Sequence, residues 1–222
     1  MSFDRIKRDE SSKAGLTRRS ILVGLPLTLA ACQTTGLVQS AAVTMYGPVT
    51  TEPFPVPAVD LSQIDPVYYR RIVQVPSHIP NNPGEIIVDP HNYYLYYVLD
   101  DGTALRIGCG VGRAGFEWAG AAVIARKAEW PTWTPPAAMV ARDPAAAPWA
   151  GGKPGGPNNP LGSRALYLYR NGNDTLYRIH GTPQSWSIGQ SMSSGCIRLL
   201  HQDIIYLYEI VPVGTRVRVL SA

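Results

Sequence analysis

Two runs near the C-terminus decide how this chain is read: Thr175-Leu176-Tyr177-Arg178-Ile179-His180-Gly181-Thr182 and Ser193-Ser194-Gly195-Cys196-Ile197-Arg198-Leu199. The first carries the β-formers of a strand and ends in an imidazole followed by glycine. The second puts a thiol on a turn, where Gly195 permits a sharp bend. Leu199, Ile204, Leu207 and Tyr208 then recur at helical spacing, so a helix is predicted over 198–210. On that reading Cys196 sits at a helix N-terminus. The dipole there favours thiolate, and first-turn N–H groups lack partners. A thiol, a proton acceptor and oxyanion donors are what nucleophilic catalysis needs. Cys196 is therefore the candidate nucleophile and His180 its candidate base. The backbone of Gly195, with Ser194 beside it, and the Cys196 N–H form the candidate oxyanion site.

Outward from these runs the pattern is mostly strands. Glu85-Ile86-Ile87-Val88-Asp89 is a short apolar run, and Tyr93 to Leu99 is rich in β-formers. Asp100-Asp101-Gly102-Thr103 has hairpin-turn composition, and Ala104 to Gly112 returns as a strand with glycines where a neighbour comes close. Ala165–Tyr169 and Thr175–His180 form a second pair, and Val217 to Leu220 closes the chain as an alternating strand. Between them, 112–163 reads as a long functional loop. Its Trp130 and Trp133 read equally as core anchors or as a substrate-facing lid. Arg198 reads as a substrate-orienting cation or as a partner of Asp203. The short run 67–73 reads as a strand or a helical turn, and His201 as a solvent-facing residue. The expected fold is mainly β, with one short helix after Cys196.

The formal charge of +4 is placed unevenly. Residues 1–20 hold six basic and three acidic side chains, which leaves 14 basic against 13 acidic in the remainder. The body is nearly neutral, which excludes nucleic acid as an expected partner. The basic leader runs into the apolar stretch 21–31, too short to span a bilayer of about 30 Å. That is the layout of an export signal. It closes on Leu29-Ala30-Ala31-Cys32, which resembles a bacterial lipobox, with Cys32 as the lipidated residue and a membrane as the partner it implies. Residues 1–31 are thus expected as a signal, 32–83 as a Pro-rich tether, and 84–222 as the catalytic domain in the periplasm or cell envelope. Cys109 and Cys196 lack metal-ligand spacing, so neither metal nor cofactor is expected.

His180-Gly181-Thr182, Gly189, Ser194-Gly195-Cys196-Ile197-Arg198-Leu199 and Asp203, in that order, resemble the signature of the L,D-transpeptidase (YkuD-like) catalytic domain. The likeness extends back through Trp130-Pro131-Thr132-Trp133-Thr134-Pro135-Pro136 and Asn159-Pro160-Leu161-Gly162, and covers about residues 84–220. The resemblance implies attack by the cysteine on the tetrapeptide stem of peptidoglycan. D-Alanine would leave, a thioester would form, and a neighbouring stem's amine would resolve it to a 3→3 cross-link. Arg198, Gly181, Thr182 and Trp133 would contact the substrate. An L,D-carboxypeptidase, a lipoprotein-attaching enzyme and a non-catalytic wall-binding lipoprotein remain as alternatives. Many members carry a second histidine where this chain has Ser194.

Overall fold

A computed structural model describes residues 41–114 and 118–221. The expected signal, lipobox and Cys32 lie outside the described residues. The described chain is mainly β, as expected. Eleven strands are present: β1 Arg71–Gln74, β2 Ile86–Asp89, β3 Tyr94–Val98, β4 Thr103–Gly108, β5 Val111–Gly112, β6 Gly120–Glu129, β7 Arg164–Arg170, β8 Asn173–Gly181, β9 Ser191–Ser193, β10 Ile197–Leu199 and β11 Arg216–Val219. Nine form one sheet in the order β1-β4-β3-β2-β11-β6-β7-β8-β10, and β5 pairs with β9 separately. Helix α1 covers 41–45, α2 is Ala137–Arg142 and α3 is His201–Ile210.

Strand period sets which side chains meet. In β2, Ile86 and Val88 point into the main core with Leu166, Ile179 and Ile204, while Ile87 joins a second cluster with Tyr96 and Val98. Both faces of this strand are therefore covered, and all four of its residues are buried. Helix α3 lays Ile204 and Leu207 on the main core.

Two expectations are corrected here. The helix begins at His201, and Ile197–Leu199 is a strand. Ile197 and Leu199 are buried around a half-buried Arg198, a period of two that pairing with β8 rewards more than a helix would. The loop expected over 112–163 contains the ten-residue β6 and the short α2. The run 67–73 is both things offered for it, a 3₁₀ turn at Pro66–Tyr68 followed by β1.

Residues 41–83, read as part of a tether, are packed on the sheet. Tyr46, Ile64 and Tyr69 form a cluster with Ile188 and Leu200 of the C-terminal half. The Arg70 N–H donates to the Tyr46 hydroxyl at 2.7 Å, and that hydroxyl donates to the buried Asp203 carboxylate at 3.3 Å. Burial pushes the Asp203 carboxyl up to about 7, against the Arg70 guanidinium and the Tyr46 hydroxyl, which hold it down. Glu52 grips buried Arg164 through two bonds of 2.8 and 2.7 Å. The Tyr68 ring lies so close to Gly189 that a Cβ there would sit 2.4 Å from Cε2, and φ of 78° also demands glycine at that position. Tyr46→Phe should cost about 1–3 kcal/mol in urea unfolding, since a buried N–H loses its acceptor. A loss under roughly 0.5 kcal/mol would mean that this segment unfolds separately.

Candidate active site

The parallel pairing of β8 with β10 builds the site. Ile197 is in register with Ile179, Arg198 with His180, and Leu199 with Gly181. Ile179, Ile197 and Leu199 are driven into the main core. Alternation then turns Arg178, His180 and Arg198 to the opposite face. Cys196, one residue before β10, extends that row opposite Arg178. The core residues thus decide where the chemistry points.

His180 is 4% exposed. Its Nδ1 lies 2.6 Å from the Gly181 carbonyl, which can only accept, so Nδ1 carries the proton and Nε2 the lone pair. Burial lowers its pKa from 6.5 to about 4; the Gly181 carbonyl opposes this, and Arg198, Arg178 and His201 add to it. The imidazole is therefore neutral at pH 7, the state a general base requires. Cys196 is half-buried, with Sγ 3.9 Å from the Leu176 carbonyl. Among the described residues no hydrogen bond joins this thiol to His180. Burial raises the thiol pKa, while the Arg178 N–H and the Arg178 and Arg198 charges pull it back. Leu176 itself holds a left-handed φ of 64°, a strained backbone beside the thiol.

The helix-terminus account of the thiol falls with the helix boundary, because three strand residues separate Cys196 from α3. Two arginines on the same sheet face supply the positive field instead. The Gly195 N–H is also engaged, donating to Ser193 Oγ at 3.1 Å, and Ser193 Oγ donates to the Cys196 carbonyl at 2.5 Å. Gly195 has φ of 107°, which closes this turn. The Cys196 N–H has no protein acceptor among the described residues and is the available oxyanion donor. Ser193, 2% exposed, was not singled out in the sequence, although its hydroxyl two residues before Gly195 fits a local side-chain-to-backbone brace. Ser193→Ala should lower kcat by roughly 10-fold with KM nearly unchanged, since it loosens the Cys196 turn and removes only one nearly buried hydroxyl from the cleft wall. A change in KM alone would refute the brace.

Two clefts meet at the thiol. One, of about 450 Å³, runs past His180, Thr182, Gln184 and Arg198. The other, of about 430 Å³, runs past Arg126, Thr134, Leu176 and Arg178. Ser194, Trp133, Met139 and Leu161 line both, so the Trp133 loop roofs the junction. A third cavity, of about 520 Å³ against Val88, Val111 and Val219, is lined by no titratable side chain among the described residues. Trp133 faces the two clefts. Trp130 is the anchor: its indole N–H donates to Glu52 at 2.8 Å and its ring meets Phe54 edge-on. Asn159, 1% exposed, gives its amide to the carbonyls of Pro131, Lys153 and Pro154 and so clamps the loop that carries Trp133.

Of the other expected contacts, Thr182 lines the first cleft, but its hydroxyl accepts from the Gln184 N–H at 3.1 Å. Gly181 faces α3, where an added Cβ would meet Ile204 at 3.1 Å. Arg198 donates to Gln184 at 3.1 Å and has no ion pair with Asp203, which pairs with Arg70. His201 is turned inward, its Nδ1 3.0 Å from Ser163 Oγ and its ring stacked on Trp130.

A sheet that sets a thiol and a neutral imidazole on one face of a divided cleft brings together two of the groups that thiol-based nucleophilic chemistry uses. The sequence model described as the L,D-transpeptidase catalytic domain (YkuD) matches residues 83–219, and the chain belongs to that family. A probable L,D-transpeptidase of Escherichia coli K12, YbiS, is 42% identical over 143 residues, covering 62% of this chain and 44% of that one. ErfK/SrfK of Salmonella typhimurium, also a probable L,D-transpeptidase, is 34% identical over 91% of this chain and 65% of that one. The chain thus spans less than two thirds of the length of these curated relatives. A crystal structure from Brucella melitensis, described as a probable carnitine operon oxidoreductase, is 44% identical over 70% of this chain and 96% of that one, with a TM-score of 0.49. That description belongs to that protein.

Proposed function

We propose that the chain is a peptidoglycan L,D-transpeptidase that forms 3→3 cross-links through a thioester on Cys196. The observation that carries this reading is the thiol at the junction of two clefts, beside a buried neutral imidazole. A donor stem occupies one cleft. The Cys196 proton passes to His180 Nε2 as Sγ attacks the carbonyl between the third residue and D-alanine, and the Cys196 N–H receives the oxyanion. The C–N bond breaks, the departing D-alanine amine takes the proton from His180, and the thioester remains. An amine from a neighbouring stem then enters by the other cleft, gives a proton to His180 and displaces the thiolate, which is reprotonated. Arg198 orients the donor along the first cleft. The second cleft favours a bulky amine acceptor over water, which sets this reading ahead of an L,D-carboxypeptidase.

The same proposal includes export, with the leader removed and Cys32 carrying lipid that holds the domain at a membrane of the cell envelope. Its basis is the sequence of residues 1–32. Incubating the protein with a purified disaccharide-tetrapeptide, followed by mass spectrometry, tests the reaction. Cross-linked dimer with release of D-alanine is expected. Tripeptide without dimer would replace it with a carboxypeptidase. No turnover by folded protein would favour lipoprotein attachment or a non-catalytic wall-binding role.

A further inference from the structure

Resting on the stem-peptide reading, we propose that Arg126 is a carboxylate-binding subsite that selects substrates by a free carboxylate near the scissile bond. Arg126 is in register with Tyr167, and Tyr167 with Arg178. Arg178 lies opposite the position that Cys196 takes when the β8–β10 register is extended by one residue. Residues directly opposite in a sheet share a face. Arg126, Tyr167, Arg178 and Cys196 therefore form one cross-strand row that ends at the nucleophile. At about 4.8 Å per strand, Arg126 starts roughly 14 Å from Cys196, and its long side chain shortens that span.

Both guanidiniums rest over the Tyr167 ring, each 4.3 Å from its centroid. Tyr167 is 6% exposed, so this platform is fixed. The two cations differ in what they already hold. Arg178 is bound by two bonds of 2.7 and 2.8 Å to Asp174. Arg126 has no ion pair among the described residues, and Asp174, the one carboxylate that lines the same cleft among the described residues, is taken up by Arg178. Arg126 nevertheless lines the cleft that contains Cys196, which the hydroxyl-bearing Thr132 and Thr134 also line. A cation held flat on a buried ring, without a counter-charge, in a cleft leading to the nucleophile, is matched by a planar carboxylate that takes its two-pronged fork. Stem peptides offer such groups at the C-terminus and along the chain.

Binding to the Cys196→Ala protein tests this without turnover. Three probes are titrated by calorimetry: the tetrapeptide acid, its C-terminal amide, and the tetrapeptide with an internal carboxylate amidated. Arg126→Met, which keeps the packing on Tyr167, should weaken the acid by about 10- to 100-fold, the range of a charged hydrogen-bonded contact. One of the two amides should bind weakly from the start and be indifferent to Arg126→Met, which tells which carboxylate is read. Arg126→Lys should recover part of the loss. Equal weakening of all three probes, or of none, overturns the assignment and leaves the transpeptidase reading in place. If the Cys196→Ala protein binds none of the probes, the stem-peptide reading falls and takes the assignment with it.

Discussion

Cys196→Ala is expected to reduce turnover of a disaccharide-tetrapeptide by roughly 10⁴-fold or more, because the covalent route disappears with the thiol. The fold should be unaffected. The side chain is half-buried, and its contact to the Leu176 carbonyl is a long one, at 3.9 Å. Cys109 cannot substitute: it is fully buried in the main core, and burial holds its thiol far above the ordinary range. Alkylation of the native protein with iodoacetamide should therefore label Cys196 and spare Cys109 until unfolding. Full activity in the alanine variant would remove the thioester from the mechanism.

The second large effect concerns His180. Replacement by glutamine should lower kcat/KM by about 10²- to 10⁴-fold, the range of a lost general base. The pH dependence carries a sign that can be checked. The folded pKa of about 4 lies below the ordinary 6.5, so the unfolded chain binds the proton more readily in that window. Stability from this group is complete above pH 6.5 and is lost as pH falls through 4. At about 1.4 kcal/mol for each factor of ten, the change amounts to roughly 3 kcal/mol. Urea unfolding of wild type and His180→Gln between pH 4 and 7 should show that difference narrowing toward acid pH. A difference that stays constant with pH would mean that the imidazole is not buried neutral.

How far the sequence could be read depended on whether side-chain identity or tertiary partners decided each segment. The strand ending at His180 and the turn before Cys196 were legible, because alternating apolar residues and a Ser-Gly pair report their own geometry. Strand β6 was not: Gly120–Glu129 mixes alanine with arginine, lysine and glutamate, residues with little strand preference, and only pairing with β7 and β11 makes it one. With β6 went Arg126. The helix start was misplaced because Leu199 was grouped with the apolar residues of the helix that follows, while its period of two with Ile197 pairs it with the free edge of β8. His201 read as exposed because one histidine on a short helix gives no sign that Trp130 and Ser163 will close over it. The packing of 41–83 was hidden by its prolines, which break regular elements without preventing burial.

The register between β8 and β10 has a consequence for how such a domain can diversify. Main-chain pairing, and not the intervening connection, fixes the distance between the imidazole and the thiol. Between them, the largely exposed residues 183–186 are thus a replaceable facing, whereas Ser187 and Ile188 are buried and Gly189 abuts Tyr68. The length and chemistry of that facing, including the protruding Trp186, can be rewritten while the reacting pair stays in place. Because Pro183 and Gln184 form part of the wall of one cleft, such rewriting would change what is admitted and leave how it is transformed untouched. Substrate range and reactivity are, in this architecture, inherited separately.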